Sequence, residues 1–212
     1  MPVRPVIRIS ENITAAIWDI TEPEEELLSL AHPDDEELTL HRTFRHPGRK
    51  LQWLSVRALL KTLFNDVKIK ILYTPTGKPF LENRDIAISV SHTASHAAVA
   101  ISASTQPGID IERVQPRLRK VAGRFLNEAE LKWLPIYPTD EQLCLMWCIK
   151  EAVFKIHGEP GLDIRDHIHV LPNDYFCTFP FAGEARAVLR DADFRHTVHA
   201  GLNDGLMMAV CY

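Results

Sequence analysis

Apolar and polar positions along the first half of the chain predict alternating strands and helices. A strand is predicted from Ile13 to Ile20, where Ile13, Ala15 and Ile17 share one side. Thr21 is expected to cap a short helix that begins with Pro23 and three glutamates. A second helix is expected from Pro33–Asp34 to about Arg45, where Pro47-Gly48 ends it.

The segment from Arg49 to Asn65 has the clearest helical pattern of this half. Its apolar stripe contains Trp53, Val56, Leu60, Leu63 and Phe64. Lys50, Arg57 and Lys61 are expected on the opposite, solvent-facing side.

Strands are then predicted at Ile69–Tyr73, Ile86–Ser91 and His96–Ser102, the last two joined as a hairpin by residues 92–95. The small, polar segment Ala103–Pro107 indicates a boundary between two domains, residues 1–104 and 105–212.

The second half repeats the order of strand, helices and strands. It begins with a strand over Gly108–Glu112, followed by a helix near Leu118–Phe125 and another capped by Asn127, with Glu130 closing a capping box. A long helix is predicted over Glu141–Ile156. The expected antiparallel tail strands are Ile168–Leu171, Ala185–Leu189, Arg195–His199 and Met207–Cys211. This order indicates a pseudo-duplicated α+β fold.

Composition narrows the class of protein. The 212 residues are 46% hydrophobic and 25% charged, which is typical of a globular protein. The net charge of −4 argues against a nucleic-acid partner. No signal peptide and no apolar run of membrane-spanning length is apparent. The four cysteines lack zinc-site spacing and are expected to be reduced thiols. We therefore expect a cytoplasmic protein.

Two carboxylates mark the first candidate site. Asp110 and Glu112 lie two apart in a predicted strand, so both project from the same face. A solvated edge strand explains an isolated Asp-x-Glu pair. Clustered carboxylates are also the hard oxygen ligands that Mg²⁺ prefers.

A third carboxylate lies in the long helix. Glu151 falls within an apolar stripe, between Trp147 and Phe154, where an unpaired charge is costly. Lys155 is four residues on, so an ordinary Glu–Lys pair is one interpretation. The alternative is a magnesium site of three carboxylates, with Lys155 directed at a substrate phosphate.

Three further places offer groups that bind phosphate. Lys78 lies in the turn Gly77-Lys78-Pro79, and Ser91 with His92 ends a strand. Arg49 begins a helix, where the helix dipole favours an anion. Each is also compatible with an ordinary surface role, and spacing alone does not show whether they converge.

Four motifs in order resemble the 4′-phosphopantetheinyl transferases. They are GKPF (77–80), ISVSHT (88–93), GIDIERV (108–114) and WCIKEAVFKIHG (147–158). The chain length is similar to that of the larger family type, which activates peptide, polyketide and fatty-acid synthases. The resemblance implies two similar α/β lobes related by a pseudo-twofold axis, with mostly antiparallel sheets packed against helices. It also implies a monomer.

The resemblance also implies residue roles. Asp110, Glu112 and Glu151 match the metal-binding acids, and Lys155 matches the lysine at the coenzyme A pyrophosphate. The remaining matches concern the nucleotide: Ser91 and His92 lie beside the 3′-phosphate, Lys78 and Pro79 lie near the nucleotide, and Arg49 reaches the 3′-phosphate unless Lys50 or Arg57 serves instead.

The implied reaction moves 4′-phosphopantetheine from coenzyme A to a serine of an apo acyl or peptidyl carrier protein and releases adenosine 3′,5′-bisphosphate. Mg²⁺, or Mn²⁺, would assist. Glu151 is the candidate base, directly or through a water on the metal. The alternatives are another magnesium-dependent phosphoryl-transfer enzyme or phosphate-ester hydrolase, and a non-catalytic module that binds carrier proteins.

An acidic carrier needs a basic docking surface. The one dense basic run in the sequence follows the acidic strand and consists of Arg113, Arg117, Arg119, Lys120 and Arg124. A solvated helix face is the alternative interpretation of that run.

Overall fold

The chain divides into two compact units. A computed structural model describes residues 2–190 and 192–212. The first unit ends at Ser104 and the second begins at Thr105. Each unit has a hydrophobic core of its own.

The first unit packs helices against antiparallel strands. Its elements are β1 (Ile7–Arg8), β2 (Ile13–Asp19), α1 (Glu24–Ala31), α2 (Asp35–Thr43), α3 (Pro47–Phe64), β3 (Ile71–Tyr73), β4 (Pro79–Leu81), β5 (Ala87–His92) and β6 (His96–Ser102). The order in the larger sheet is β1-β2-β6-β5, and β3 pairs with β4 separately. The predicted hairpin is confirmed, since β5 and β6 pair antiparallel from Ala87 opposite Ser102 to His92 opposite Ala97.

Local chemistry explains where the first helices begin. Asp34 caps α2 and forms a capping box with Glu37. The expected cap at Thr21 is wrong, because α1 begins one residue after Pro23, which contributes no side-chain bond. Pro47 begins α3 rather than only ending α2, because its fixed φ and missing N–H suit a first helical turn.

The prediction that Arg57 and Lys61 of α3 face solvent is wrong, because both side chains are buried. Arg57 is 2% exposed and donates a 2.8 Å hydrogen bond to Oε1 of Glu37, with its guanidinium over the Trp53 ring. Lys61 is 6% exposed and donates to the carbonyl of His32 at 2.8 Å. The residue after α1 and the first turn of α2 therefore supply hydrogen-bond acceptors to the side of α3 that was predicted to face solvent.

The second unit is a five-stranded antiparallel sheet with helices. Its elements are β7 (Gly108–Arg113), a 3₁₀ segment (Pro116–Arg124), α4 (Glu128–Trp133), α5 (Asp140–His157), β8 (Ile168–Val170), β9 (Phe181–Leu189), β10 (Ala192–Asn203) and β11 (Leu206–Cys211). The sheet order is β7-β11-β10-β9-β8. The capping box of Asn127 and Glu130 is confirmed. The helix expected near Leu118 is a 3₁₀ segment rather than an α-helix.

A buried ion pair fixes α5 within this unit. Lys150 is fully buried and lies 2.8 Å from a carboxylate oxygen of Glu130. Its ammonium also donates to the carbonyls of Ile164 at 3.2 Å and Ile168 at 2.7 Å. Burial raises the pKa of Glu130 and lowers the pKa of Lys150. The same core holds Cys144, Cys148 and Cys211 as buried free thiols.

The predicted α+β class, with antiparallel sheets packed against helices, is confirmed. The pseudo-twofold relation between the lobes stays a prediction. Within residues 2–190 and 192–212, no helix is both long enough and apolar enough to cross a bilayer.

Candidate functional site

The acidic strand β7 lies directly against the long helix α5. A Cβ atom at Gly108 would come within 1.9 Å of the carbonyl oxygen of Ala152, so only glycine permits this approach. Cys144 lies beside the carbonyl of Glu112, whereas Lys155 lies beside the carbonyl of Ile109. The strand and the helix therefore run in opposite directions, and α5 carries Glu151 past the level of Asp110.

Side-chain alternation puts both strand carboxylates on the helix side of β7. Gly108 contacts α5, and Asp110 and Glu112 follow at the period of two residues. Asp110 is buried and Glu112 is partly buried. The edge strand is therefore not the solvated strand that an isolated Asp-x-Glu pair would suggest.

Glu151 carries the most informative electrostatic signature of the site. Burial, reinforced by the negative charge of Asp110 and opposed by Lys155, raises the pKa of Glu151 to about 7. The carboxylate of Asp110 on β7 therefore acts on the carboxyl of Glu151 on α5. At neutral pH this group is divided between its acid and its base forms.

Lys155 pairs with Asp110 of the strand β7 rather than with Glu151 of its own helix. Its ammonium lies 2.8 Å from Oδ1 of Asp110 and donates to the carbonyl of Ile109 at 2.8 Å. The ordinary pair with Glu151 that the helical spacing allowed is thus replaced by a bond to β7.

Glu112 is held from two sides. The backbone N–H of Arg113 donates to Oε1 at 2.8 Å, and the guanidinium of Arg117 pairs with Oε2. Sequence reasoning placed Arg117 in a basic docking run and missed this contact. The signal available was its position five residues after the acid, just beyond the strand.

The donor chemistry of these acids fits a divalent cation. Asp110, Glu112 and Glu151 supply hard carboxylate oxygens. Burial first and the charge of Asp110 second raise the pKa of Glu151, and Lys155 opposes them only in part. Across the described ranges, however, no three His, Cys, Asp or Glu side chains form a ready-made metal cluster. Lys155 and Arg117 occupy carboxylate oxygens that a metal would use.

In the first unit, two of the predicted phosphate-binding residues meet. The guanidinium of Arg49, in the first turn of α3, is hydrogen-bonded to Nε2 of His92 at the end of β5. A second link joins the same parts, because Gln52 donates to the carbonyl of Thr93 at 3.0 Å. Ser91, which precedes His92, is buried.

The alternative arginine and lysine of α3 are engaged elsewhere. Arg57 is buried on Glu37, and Lys50 lies 3.3 Å from a carboxylate oxygen of Glu24. Arg49 is exposed and contacts His92.

Two hydrogen bonds between Thr74 and Lys78 close the turn before β4. Gly77 has a φ of +84°, a conformation that favours glycine. The N–H of Lys78 donates to Oγ1 of Thr74 at 3.0 Å, and the N–H of Thr74 donates to the carbonyl of Lys78 at 2.9 Å. Burial lowers the pKa of Lys78. Pro79 then begins β4, so the lysine is presented at a defined point.

Comparisons with known proteins give the class. The sequence profile described as "4′-phosphopantetheinyl transferase superfamily" matches residues 106–211, which include β7 and α5. The chain belongs to this superfamily, and it is an enzyme of the transferase class.

Named relatives agree with that assignment. The chain is 27% identical over 161 residues to the 4′-phosphopantetheinyl transferase HetI of Nostoc sp., covering 68% of each protein. It is 31% identical over 116 residues to AcpT of Escherichia coli K12, covering 52% of this chain and 59% of AcpT. It is also 33% identical over 111 residues to gsp of Aneurinibacillus migulanus, covering 50% of this chain and 46% of gsp. The last two matches span about half the length of those relatives.

Proposed function

We propose that this protein transfers the 4′-phosphopantetheine group of coenzyme A to a serine of an apo acyl or peptidyl carrier protein, with release of adenosine 3′,5′-bisphosphate. The observation that carries the proposal is the meeting of Asp110 and Glu112 on β7 with Glu151 and Lys155 on α5, within the region matched by the superfamily profile. The match to transferases favours this reaction over a phosphate-ester hydrolase or a non-catalytic module.

The three acids are proposed to hold the metal. A Mg²⁺ or Mn²⁺ ion bound by Asp110, Glu112 and Glu151 would supply positive charge for the phosphate oxygens. Lys155 lies beside Asp110, and its ammonium is the group of α5 that we assign to the pyrophosphate. This assignment requires Lys155 to turn from Asp110 towards the substrate.

Glu151 is proposed to take the serine proton, directly or through one water. A pKa of about 7 is close to the pH at which a general base works best, whereas an ordinary glutamate is too weak. The serine oxygen then forms a bond to the β-phosphorus as the bond from that phosphorus to the bridging oxygen breaks. The leaving adenosine 3′,5′-bisphosphate keeps the electron pair.

Residues of the first unit are proposed to bind the nucleotide. We assign the 3′-phosphate to Arg49, His92 and Ser91, because Arg49 and His92 already meet. Lys50 and Arg57 are weaker candidates, since both are paired with carboxylates. Lys78 and Pro79 are assigned to the nucleotide on the basis of the hydrogen-bonded turn that presents them.

The 3₁₀ segment and its surroundings are proposed to dock the carrier. Arg117 and Arg119 have side chains that are mostly exposed, and an acidic partner requires local positive charge. Arg119 pairs with Asp140, the first residue of α5, which ties the segment to the loop before that helix. That loop exposes two large apolar side chains, Ile136 at 90% and Tyr137 at 88%, which would form the apolar contact of such an interface.

The larger family type is proposed for the architecture as well. On this view residues 1–104 and 105–212 are two similar lobes related by pseudo-twofold symmetry, in a monomer. The cytoplasmic location stays a prediction.

Intact mass measurement tests the reaction directly. The protein is incubated with an apo-carrier protein, coenzyme A and Mg²⁺, and one phosphopantetheine mass should be added to the carrier. Glu151→Gln should nearly abolish the addition. Glu141→Gln, an exposed position on the same helix, is the control and should transfer normally. Near-normal turnover in Glu151→Gln would contradict the role assigned to Glu151.

A further inference from the structure

Arg117, in the 3₁₀ segment, forms an ion pair with Glu112 of β7. The guanidinium pairs with Oε2 of Glu112, while Oε1 accepts the backbone N–H of Arg113. A carboxylate oxygen that accepts an N–H retains capacity for a metal ion. A guanidinium cannot share Oε2 with a divalent cation in the same way, because the two positive charges repel. A metal that uses Glu112 must therefore displace or weaken this pair.

The hold of Arg117 on Glu112 is weak enough to be exchanged. The Arg117 side chain is 60% exposed, so water reaches this pair from the arginine side although the Glu112 side chain is only 14% exposed. Ion pairs at a protein surface usually change an equilibrium by about 5-fold or less. Its neighbour Leu118 is buried and anchors the segment to the core. Arg117 can therefore move between partners while the backbone that carries it stays in place.

Arg119 provides a contrast within the same segment. It pairs with Asp140, at the start of α5, and not with an acid of β7. The two arginines lie on either side of Leu118 and have similar exposure, 60% and 51%. They therefore differ chiefly in the carboxylate they neutralise.

We propose that Arg117 exchanges between Glu112 and an acidic surface of the carrier protein, so that metal binding and carrier docking strengthen each other. This inference rests on the proposed function and adds a coupling between its two parts. A metal on Glu112 releases Arg117 for the carrier, and a carrier that engages Arg117 releases Glu112 for the metal. Thermodynamic linkage requires the two effects to be equal.

The first experiment measures Mn²⁺ binding without coenzyme A or carrier. Free Mn²⁺ is followed by electron paramagnetic resonance in the unmodified protein and in the Arg117→Gln, Arg119→Gln and Glu112→Gln variants. Arg117→Gln should bind Mn²⁺ about 2- to 5-fold more tightly, because the competing cation is gone. Arg119→Gln should match the unmodified protein, and Glu112→Gln should bind more weakly.

The second experiment repeats the titration with a saturating apo acyl carrier protein. Without coenzyme A no transfer occurs, so only binding is measured. The carrier should tighten Mn²⁺ binding to the unmodified protein and to Arg119→Gln, by about 2- to 5-fold. It should leave the affinity of Arg117→Gln unchanged, because Glu112 is already released in that variant.

The outcomes separate this inference from the proposed function. Equal Mn²⁺ affinities of Arg117→Gln and the unmodified protein would overturn the exchange. The exchange would also be overturned if the carrier tightened Mn²⁺ binding to Arg117→Gln as much as it does in the unmodified protein. If transfer proceeds and Glu112→Gln loses Mn²⁺ binding, the proposed function stands even when the exchange fails. Absence of Mn²⁺ binding to the unmodified protein would overturn the metal site and, with it, the exchange.

Discussion

The ammonium of Lys155 lies 2.8 Å from Oδ1 of Asp110, which joins the end of α5 to the middle of β7. Burial is the main cause of the raised pKa of Glu151; the charge of Asp110 raises this pKa further, and the charge of Lys155 lowers it. The charges of Asp110 and Lys155 therefore act in opposite directions on the protonation of Glu151.

Opposite shifts of the Glu151 pKa are expected from the two neighbours. Asp110→Asn removes a negative charge and should lower the pKa of Glu151 below about 7. Lys155→Met removes a positive charge and should raise it. A carbon-13 NMR titration of glutamate carboxyl groups in metal-free protein measures both. Shifts in the same direction in the two variants would refute this description of the site.

Glu151→Gln should stabilise the fold at the expense of activity. A carboxyl whose pKa is raised on folding adds most stability below its unfolded pKa of about 4.3 and loses that contribution as pH rises through about 7. At pH 8 the charged form is a net cost to the fold. Replacing Glu151 by neutral Gln should thus raise the free energy of unfolding at pH 8 by up to about 3 kcal/mol.

Denaturant unfolding curves of metal-free protein at a series of pH values measure this gain in the free energy of unfolding. The gain should largely disappear near pH 4, where Glu151 is protonated in the folded chain and mostly protonated in the unfolded chain. Glu141→Gln, on the exposed side of α5, should show no such gain. An equal stability of Glu151→Gln and the unmodified protein at pH 8 would contradict the raised pKa.

The contact between Arg49 and His92 predicts shared recognition of the 3′-phosphate. Arg49→Ala and His92→Ala should each raise the KM for coenzyme A by about 10- to 100-fold, since charge-assisted hydrogen bonds to phosphate are strong. The KM for 3′-dephospho-coenzyme A should change little. Steady-state kinetics with both substrates makes the comparison, and Arg45→Ala, an exposed arginine ahead of α3, is the control.

The double variant adds a second criterion. Because the two side chains are hydrogen-bonded to each other, the combined loss should be smaller than the product of the single losses. Equal loss with both substrates would show that neither side chain recognises the 3′-phosphate.

Gly108→Ala should destabilise the second unit. Its new methyl group would lie 1.9 Å from the Ala152 carbonyl oxygen, so β7 and α5 would have to separate. Overpacking of this kind costs about 1–3 kcal/mol or more of unfolding free energy. Gly123→Ala is the matched control, because a Cβ there meets no atom within 4 Å. Urea unfolding measures both, and equal stabilities would refute the close approach of strand and helix.

Much of the site was predictable because it depends on local periodicity. The period of a strand puts Asp110 and Glu112 on one face whatever surrounds them. The apolar stripe around Glu151 indicated burial, and burial is the main cause of its raised pKa. The capping box of α4 was predicted because it involves residues only three apart, Asn127 and Glu130. The start of α2 near Asp34 was also predicted, but its capping box with Glu37 was not.

The errors concern partners from distant parts of the chain. The helical period predicted a solvent-facing side for Arg57 and Lys61. Their hydrogen-bond acceptors lie outside α3 and are the side chain of Glu37 and the carbonyl of His32. Lys155 had an acid four residues away, yet Asp110, 45 residues away, binds it. Such competition is decided by tertiary packing, which one sequence does not reveal.

The ion pair of Lys150 and Glu130 has a geometric consequence for its neighbour in the chain. Successive residues of an α-helix are separated by about 100° around its axis. Lys150, locked among Glu130 and two carbonyls on one side, therefore sets the direction in which Glu151 points on another. Rotating α5 about its axis to redirect Glu151 would move the Lys150 ammonium away from these oxygens and into the apolar core. The buried ion pair of Lys150 therefore fixes the rotation of α5 at the residue next to Glu151.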